Sequence, residues 1–446
     1  MKDSILLSIT LLIAFVSVGK PRLGALGFVV YAIWAPQGSV WGFAQTFPHS
    51  MVISIGVLVG YLITREKSTL PAYREVVLLW ALFFWFVFSS LSAFLPAEAF
   101  LRLKEIGKML LMVLVTLSLS KGEKHIRQLL LAMAVPLGLF AIKASLFSIL
   151  TGGQYTVEGP DFGFLAGSNA VGLGLSMNLP LLFYLAKTAP SVWGRWFLWG
   201  LFFVSYPAVA CTFSRGTWIA AGIVTGFLVL KSKNKFLVWT AAAMLVLASP
   251  VIIPSLVSQR LAARFDTLHN LDEDQSANIR KWNMENCWRT GAARPLTGAG
   301  FNFYSLAAYA VFFPEFLSAH PGVVHSCHSM WLTVWAEHGL PGFVLWVGVL
   351  TSVVLSLRQV RKLAKKEEKV RWAVMYADML LLTLLSYCIS GTVQDAAYFD
   401  SYYYTVSAAI LLKATVLGSL REIKANTSTA DEVVIMRRPT FARAGA

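Results

Sequence analysis

The sequence predicts an all-α protein that crosses a membrane many times, and two observations carry that prediction. The chain of 446 residues is 57% hydrophobic and only 14% charged, whereas a soluble domain is about half apolar and a quarter charged. Apolar runs of bilayer-spanning length recur along the whole chain. Because a membrane β-barrel would show short alternating segments instead, we expect a polytopic helical protein.

The apolar segments, in chain order, give the predicted membrane helices. The first one resembles a signal peptide but lacks a convincing cleavage site, so we interpret it as a retained membrane segment. The first two are short and separated only by "KPRLG", so we interpret them as one crossing, which gives about 12 transmembrane helices. The segments are 5–19, 24–36, 51–64, 76–96, 108–120, 128–150, 163–186, 196–212, 217–231, 236–256, 330–357, 372–391 and 401–419.

Lysine and arginine in short loops predict the orientation of these helices. The loop "RQVRKLAKKEEKVR" at 358–371 is strongly basic, and "KSKNK" at 231–235 agrees with it, so both should be cytoplasmic. The short loop at 392–400 and the large polar segment then face outward, which in a bacterial inner membrane means the periplasm. The predicted regions are N-terminal transmembrane helices at 1–256, a periplasmic loop with helices at 257–329, C-terminal transmembrane helices at 330–420 and a disordered cytoplasmic tail at 421–446.

Charge and cysteine content limit the possible partners. The net charge is +15, which in a membrane protein indicates contact with anionic lipids and predicts no nucleic-acid partner. Cys287 and Cys327 should both lie on the outer side, where a disulfide can form. A disulfide and two free thiols both remain open.

An arginine stands between two apolar segments in "CTFSRGTW" at 211–218. Arg215 would be costly at mid-bilayer, but at a helix end its side chain can reach the interface. One interpretation is such a membrane anchor. The other is an anion site, because a guanidinium binds phosphate oxygens in a bidentate manner.

Further positive charge is predicted on the outer face, against the usual cytoplasmic bias. Arg280 lies in a predicted helix of the large loop, where alone it would be an ordinary surface residue. Because the positive charges cluster, they predict an anionic ligand. The cluster contains Arg280, Lys281, Arg289 and Arg294 of the loop, with Arg102, Lys104 and Lys108 at the outer rim.

Three histidines lie close together before the apolar segment at 330. His320, His325 and His328 could form a metal site, but no acidic ligand stands at matching spacing. A second interpretation is a general base, since a neutral imidazole can take a proton from a hydroxyl. The third is a solvated loop residue. We expect no metal, and we expect His328 to be the base because it stands at the mouth of a helix.

Polar residues also occur deep within this apolar segment. Glu337 is nine residues past His328, about 13 Å along a helix, so the two side chains cannot meet within one straight helix. In "EHGLPG", Gly339, Pro341 and Gly342 predict a kink that frees backbone groups. We therefore interpret Glu337 and His338 as structural residues.

Four motifs in order carry a family resemblance: "SRG" at 214–216, "RKW" at 280–282, "PLTGAGFNFY" at 295–304 and "HSMWLTVWAEHGLPG" at 328–342. Together they resemble the O-antigen ligase superfamily, which also contains O-antigen polymerases and protein O-oligosaccharyltransferases. With "GFLAGSNAVGLGLSMNLPLLFYL" at 163–185, the pattern is most similar to O-antigen ligases and to O-glycosylation ligases linked to exosortase systems. The resemblance covers about residues 20–420.

The resemblance implies a metal-independent, inverting glycosyltransferase of the GT-C type that needs no cofactor. Such ligases transfer a glycan from undecaprenyl pyrophosphate to a lipid A–core sugar. The family's two arginines fall on Arg215 and Arg280, its histidine falls on His328, and Glu337, Gly339 and Gly342 complete the surrounding motif. The positive charge of the outer rim adds Lys108 and Arg289 as predicted substrate-binding residues.

Three alternatives remain. An O-antigen polymerase and a protein O-oligosaccharyltransferase would use the same donor with another acceptor. A transporter of lipid-linked glycans would show inverted repeats and ionisable groups at mid-membrane. We find no such repeat, and the polar candidates cluster on one face.

Overall fold

The computed structural model describes residues 2–65, 67–68, 70–160, 163, 165–231 and 275–436, and in these ranges it contains helices and no β-strand. The α-helices are α1 (Lys2–Gly19), α2 (Pro21–Trp34), α3 (His49–Ile63), α4 (Arg74–Leu91), α5 (Pro96–Ser118), α6 (Gly122–Leu150), α7 (Gly167–Lys187), α8 (Val192–Ala210), α9 (Arg215–Lys231), α10 (Gln275–Ala293), α11 (Leu306–Phe312), α12 (Pro314–Ala319), α13 (Met330–Ala364), α14 (Ala373–Gly391) and α15 (Asp400–Met436). Short 3₁₀ turns lie at Pro36–Ser39, Phe43–Gln45 and Glu368–Val370.

Seven of the described helices are long and apolar enough to cross a membrane, which agrees with the predicted polytopic helical protein. They are α1, α4, α6, α7, α13, α14 and α15. The predicted count of about 12 is not confirmed by this criterion. The predicted span at 236–256 lies outside the described residues.

The first two apolar segments form two helices that run in opposite directions, rather than one continuous crossing. Pro21 occupies the first turn of α2, where proline starts a helix but could not continue the preceding one. Gly24 of α2 lies against Ser17 of α1 and Gly27 lies against Ile13, so the two helices are antiparallel. Helix α1 also packs against α3. The α2 helix of 14 residues is about 21 Å long, shorter than a bilayer core.

Helix α13 is the central element of the bundle and contacts α4, α10, α14 and α15. Its Trp346 is fully buried and donates a hydrogen bond to the carbonyl of Ala397 at 3.2 Å. Tyr387 of α14 and Tyr402 of α15 stack beside it with ring centroids 4.6 Å apart. This aromatic packing fixes how α14 and α15 meet α13.

A buried ion pair joins the same helices near the other end of α13. Lys413 of α15 donates to both carboxylate oxygens of Glu75 in α4, at 3.1 and 3.0 Å. Ser352 and Ser356 of α13 also donate to Glu75. Because both charges have several partners, the desolvation that burial imposes on them is compensated.

Helix α15 continues to Met436, so the boundary predicted at residue 420 falls inside a helix. The final residues, 437–446, lie outside the described part.

Candidate functional site

The polar residues gather in the N-terminal part of α13. This part of the helix is broken at Gly339, as "EHGLPG" predicts. Gly339 has φ 64° and ψ −169°, values outside the helical region. The break frees two carbonyl groups, which accept hydrogen bonds from a preceding loop: Ala299 N to Ala336 O at 2.8 Å and Gly300 N to Glu337 O at 2.9 Å. The loop therefore replaces the helix's own hydrogen bonds.

The "PLTGAG" loop can reach this break because of its glycines. A Cβ at Gly298 would lie 2.3 Å from the carbonyl carbon of Glu337, and φ at Gly298 is 66°. Leu340 N donates to Pro295 O at 2.7 Å from the other side of the break. The two motifs that looked separate in the sequence thus form one unit.

Glu337 and His338 are buried and tie this unit to α4 and to the 392–400 loop. Glu337 accepts from Asn302 N at 2.9 Å and from the hydroxyl of Tyr398. His338 Nδ1 lies 2.7 Å from Ser89 Oγ, and its Nε2 lies 2.8 Å from Tyr398 Oη. These contacts hold the break in place, and a structural role for both residues stays a prediction.

A disulfide joins the two parts of the large loop that carry the candidate reactive groups. Cys287 of α10 is bonded to Cys327, with Cα atoms 5.7 Å apart. Both cysteines are buried. The bond fixes the residue before His328 to the helix that carries Arg280, and it decides between the two alternatives left by the sequence.

His328 lies beside an aspartate that the sequence analysis did not single out. Its Nδ1 is 3.6 Å from Oδ2 of Asp395, and the two side chains are 30% and 29% exposed. Ser326 Oγ donates to Oδ2 of Asp395, and Thr333 Oγ1 donates to Oδ1 at 3.0 Å. The carboxylate is thus held by two hydroxyls next to an accessible imidazole.

His328 has an unusual backbone and an altered acidity. Its φ is 51°, a left-handed value that is uncommon for a residue other than glycine and is often found at functional sites. Burial lowers the pKa of His328, the charge of Asp395 opposes that change, and the positive charges of Arg280 and His325 add to it. A lowered pKa favours the neutral imidazole, which is the form that accepts a proton.

The two predicted arginines are related to this site in different ways. Arg280 acts electrostatically on His328. Arg215 begins α9, and its neighbour Gly216 lies against Val393, two residues before Asp395.

Arg289 and Lys108 lie in other surroundings. Arg289 pairs with Glu285 at 2.7 Å and with Glu315 at 3.4 Å. Lys108 lines a separate cavity, where it donates to Ser50 Oγ at 2.8 Å. Substrate binding by either residue stays a prediction.

The three histidines do not converge on one point. The rings of His325 and His328 have centroids 6.4 Å apart, whereas His320 stacks on Phe316 at 4.6 Å. In the described ranges, no group of three or more side chains is placed to hold a metal ion.

Sequence reasoning missed the residues of the short 392–400 loop. Asp395 and Tyr398 lie outside every motif that carried the resemblance. The available signal was the segment "QDAAYFD" at 394–400, because two acidic residues in a short loop between apolar segments are unusual.

Two family models match different parts of the chain. Residues 200–347 match a family model described as O-antigen ligase, and residues 1–189 match one described as a family of unknown function. A comparison with curated proteins gives no match. The ligase segment contains Arg215, Arg280 and His328 and ends before Asp395. The match at residues 200–347 supports the O-antigen ligase superfamily.

Proposed function

We propose that this chain is a metal-independent, inverting glycosyltransferase of the O-antigen ligase type. It transfers a glycan from undecaprenyl pyrophosphate to a hydroxyl of a lipid A–core sugar on the periplasmic face of the inner membrane. The observation that carries the proposal is the partly exposed imidazole of His328 at the start of α13, which lies beside Asp395 and is influenced electrostatically by Arg280.

The proposed reaction is a single displacement at the anomeric carbon. His328 takes the proton of the acceptor hydroxyl, whose oxygen forms the new bond to C1 while the bond from C1 to the pyrophosphate oxygen breaks. General base catalysis of this kind contributes about 10²–10⁴ in rate. Negative charge grows on the leaving pyrophosphate, and Arg215 and Arg280 stabilise it, a task that a divalent cation performs in other enzymes.

Asp395 acts in this scheme as a positioning residue. It cannot turn away freely, because Ser326 and Thr333 both donate hydrogen bonds to it. A carboxylate fixed beside an imidazole orients the ring and stabilises the imidazolium that forms on proton transfer.

Two features support the periplasmic face. The Cys287–Cys327 disulfide lies next to the site, and disulfides persist in oxidising compartments such as the periplasm. The basic residues Arg358, Arg361 and Lys362 lie near the opposite end of α13, as expected for a cytoplasmic end.

The test is reconstitution of the purified chain with undecaprenyl-pyrophosphate-linked O-antigen and lipid A–core, in the presence of EDTA. We expect a ladder of glycan-capped lipid with the wild-type chain and none with His328→Ala. Extension of the lipid-linked glycan instead would identify a polymerase, and transfer only to an added serine- or threonine-containing protein would identify a protein O-oligosaccharyltransferase. A requirement for divalent metal would overturn the metal-independent mechanism.

A further inference from the structure

A polar cavity of about 430 Å³ opens between α2, α3, α5 and the start of α15. That volume is within the range of about 300–1,000 Å³ that is usual for small-molecule sites. Its polar lining contains Tyr31, Gln37, Ser50, Arg102, Glu105, Lys108, Tyr398 and Asp400. Except for Tyr398 and Asp400, these residues belong to the segment that matches a family of unknown function.

Two polar atoms of this lining lack a partner among the described residues. Tyr31 is only 5% exposed, and its hydroxyl is buried without a hydrogen bond. Oε1 of Gln37 is buried and unpaired as well. Since buried polar groups are normally hydrogen-bonded, these two atoms indicate a polar ligand. The Tyr31 ring is held by stacking on His49, with centroids 5.5 Å apart.

The charges of the cavity balance one another. Arg102 pairs with Glu105 at 2.6 Å, and both Arg102 and Lys108 act electrostatically on Asp400. Two cations facing two carboxylates do not suit a multiply charged anion such as pyrophosphate. They suit a neutral ligand with many hydroxyls, because the cations donate and the carboxylates accept hydrogen bonds. Phe28 adds an aromatic ring to the lining, against which the apolar face of a sugar can pack.

The cavity is connected to the candidate active site by one residue. Tyr398 lines the cavity and donates a hydrogen bond to Glu337 at the break in α13. It lies three residues after Asp395 in the same short loop. The opposite end of that loop, at Val393, packs against Gly216 next to Arg215. The cavity and the arginine proposed to bind pyrophosphate therefore adjoin opposite ends of one loop.

We propose that this cavity is a saccharide-binding site, which receives the sugar portion of one of the two substrates. The site assigns a role in sugar recognition to the N-terminal segment, which the reaction scheme leaves unused. This assignment rests on the proposed glycan transfer, since that transfer supplies the saccharides. Lys108, predicted from charge alone to bind an anion, would bind sugar hydroxyls instead.

The experiment measures ligand binding to the full-length chain in detergent by isothermal titration calorimetry. The probes are core oligosaccharide freed of its acyl chains, O-antigen oligosaccharide without its lipid, and inorganic pyrophosphate. The variants are Tyr31→Phe, which removes one oxygen atom, and Lys108→Met. The matched control is Lys104→Met, because Lys104 is exposed on the same helix and does not line the cavity. Thermal unfolding midpoints establish that each variant is folded.

We expect the wild-type chain and Lys104→Met to bind one of the two oligosaccharides. We expect Tyr31→Phe and Lys108→Met to bind it at least about tenfold more weakly. The oligosaccharide that binds identifies the source of the sugar, as acceptor or donor. Binding that Tyr31→Phe and Lys108→Met leave unchanged would overturn the assignment. So would cavity-dependent binding of pyrophosphate alone, or no saccharide binding at all, which would mean a water-filled cavity.

His328→Ala separates this inference from the proposed function. The variant should bind the oligosaccharide as the wild type does while failing to transfer glycan. If the wild-type chain binds saccharide through Tyr31 but transfers none, the proposed function fails and the binding site stands. If transfer proceeds normally in Tyr31→Phe and no oligosaccharide binds, the site fails and the proposed function stands.

Discussion

The two segments that meet at the start of α13 differ in length and in what their sequences reveal. The first, described over residues 275–329, contains Arg280, the disulfide and His328. The second is the 392–400 loop between α14 and α15. The long segment has recognisable motifs and carries the groups proposed to react. The short loop has no motif, yet its residues contact α9, α13 and the cavity beside α5.

In the proposed mechanism, the long segment supplies Arg280 and His328, and the short loop positions them. Asp395 lies beside His328, Tyr398 donates a hydrogen bond to Glu337 at the break in α13, and Asp400 lines the cavity. Evidence that the short loop supplies a reacting group, or that the long segment only positions one, would contradict this division.

The largest effect is expected in the long segment, at His328. His328→Ala should lower the transfer rate by about 10²–10⁴, because the general base is lost. Initial rates of glycan transfer with saturating donor and acceptor measure the effect. His325→Ala, three residues earlier on an exposed side chain, should retain most of the activity. An equal loss in both variants would show that the transfer rate depends on the conformation of the loop and not on the imidazole of His328.

A second large effect is expected on stability when the disulfide of the long segment is removed. Cys287→Ser opens a bridge with a sequence separation of 40, and such a loss should lower the free energy of unfolding by about 2–4 kcal/mol. The midpoint of thermal unfolding in detergent measures the change. Cys211→Ser is the control, since Cys211 is a free cysteine. An unchanged midpoint would show that noncovalent contacts suffice to hold this segment.

A smaller effect on rate is expected in the short loop. Asp395→Asn should lower the transfer rate by about 10- to 100-fold, as the loss of an orienting partner commonly does. The charge of Asp395 raises the pKa of His328, so its removal lowers that pKa. The acid limb of the pH–rate profile should therefore move to lower pH. Glu285→Gln on the surface of α10 is the control.

Two results at Asp395 would change the comparison. A rate loss as large as that of His328→Ala would show that Asp395 takes part in the reaction itself and does not only position His328. A normal rate with an unmoved acid limb would remove Asp395 from the mechanism.

The smallest effect is expected at His325, through charge alone. Its positive charge lowers the pKa of His328, so His325→Ala should raise that pKa and move the acid limb to higher pH. The pH–rate profiles of the wild type and the variant, recorded in the same buffers, measure the shift. His320→Ala should leave the limb in place, because His320 stacks away from the site on Phe316. Movement to lower pH would contradict the electrostatic account of His328.

Much of the fold and part of the site were predictable from local sequence. Hydropathy located segments that correspond to described helices, and "EHGLPG" located the break at Gly339. The hydropathy pattern could not show that α1 and α2 turn back on each other, because length and composition carry no direction. Asp395 and Tyr398 escaped notice because their importance lies in contacts with residues 60 or more positions away.

The sequence by itself determined the class of the protein, since bilayer burial demands long apolar helices and leaves that demand visible in composition. Its ordered motifs also pointed to the superfamily and to Arg215, Arg280 and His328. Only the tertiary structure decided which polar residues meet. The Cys287–Cys327 bond, the aspartate beside His328 and the Tyr31 cavity all join residues far apart in the chain. Such contacts depend on how the helices pack, and helix packing has no signature in any one local segment.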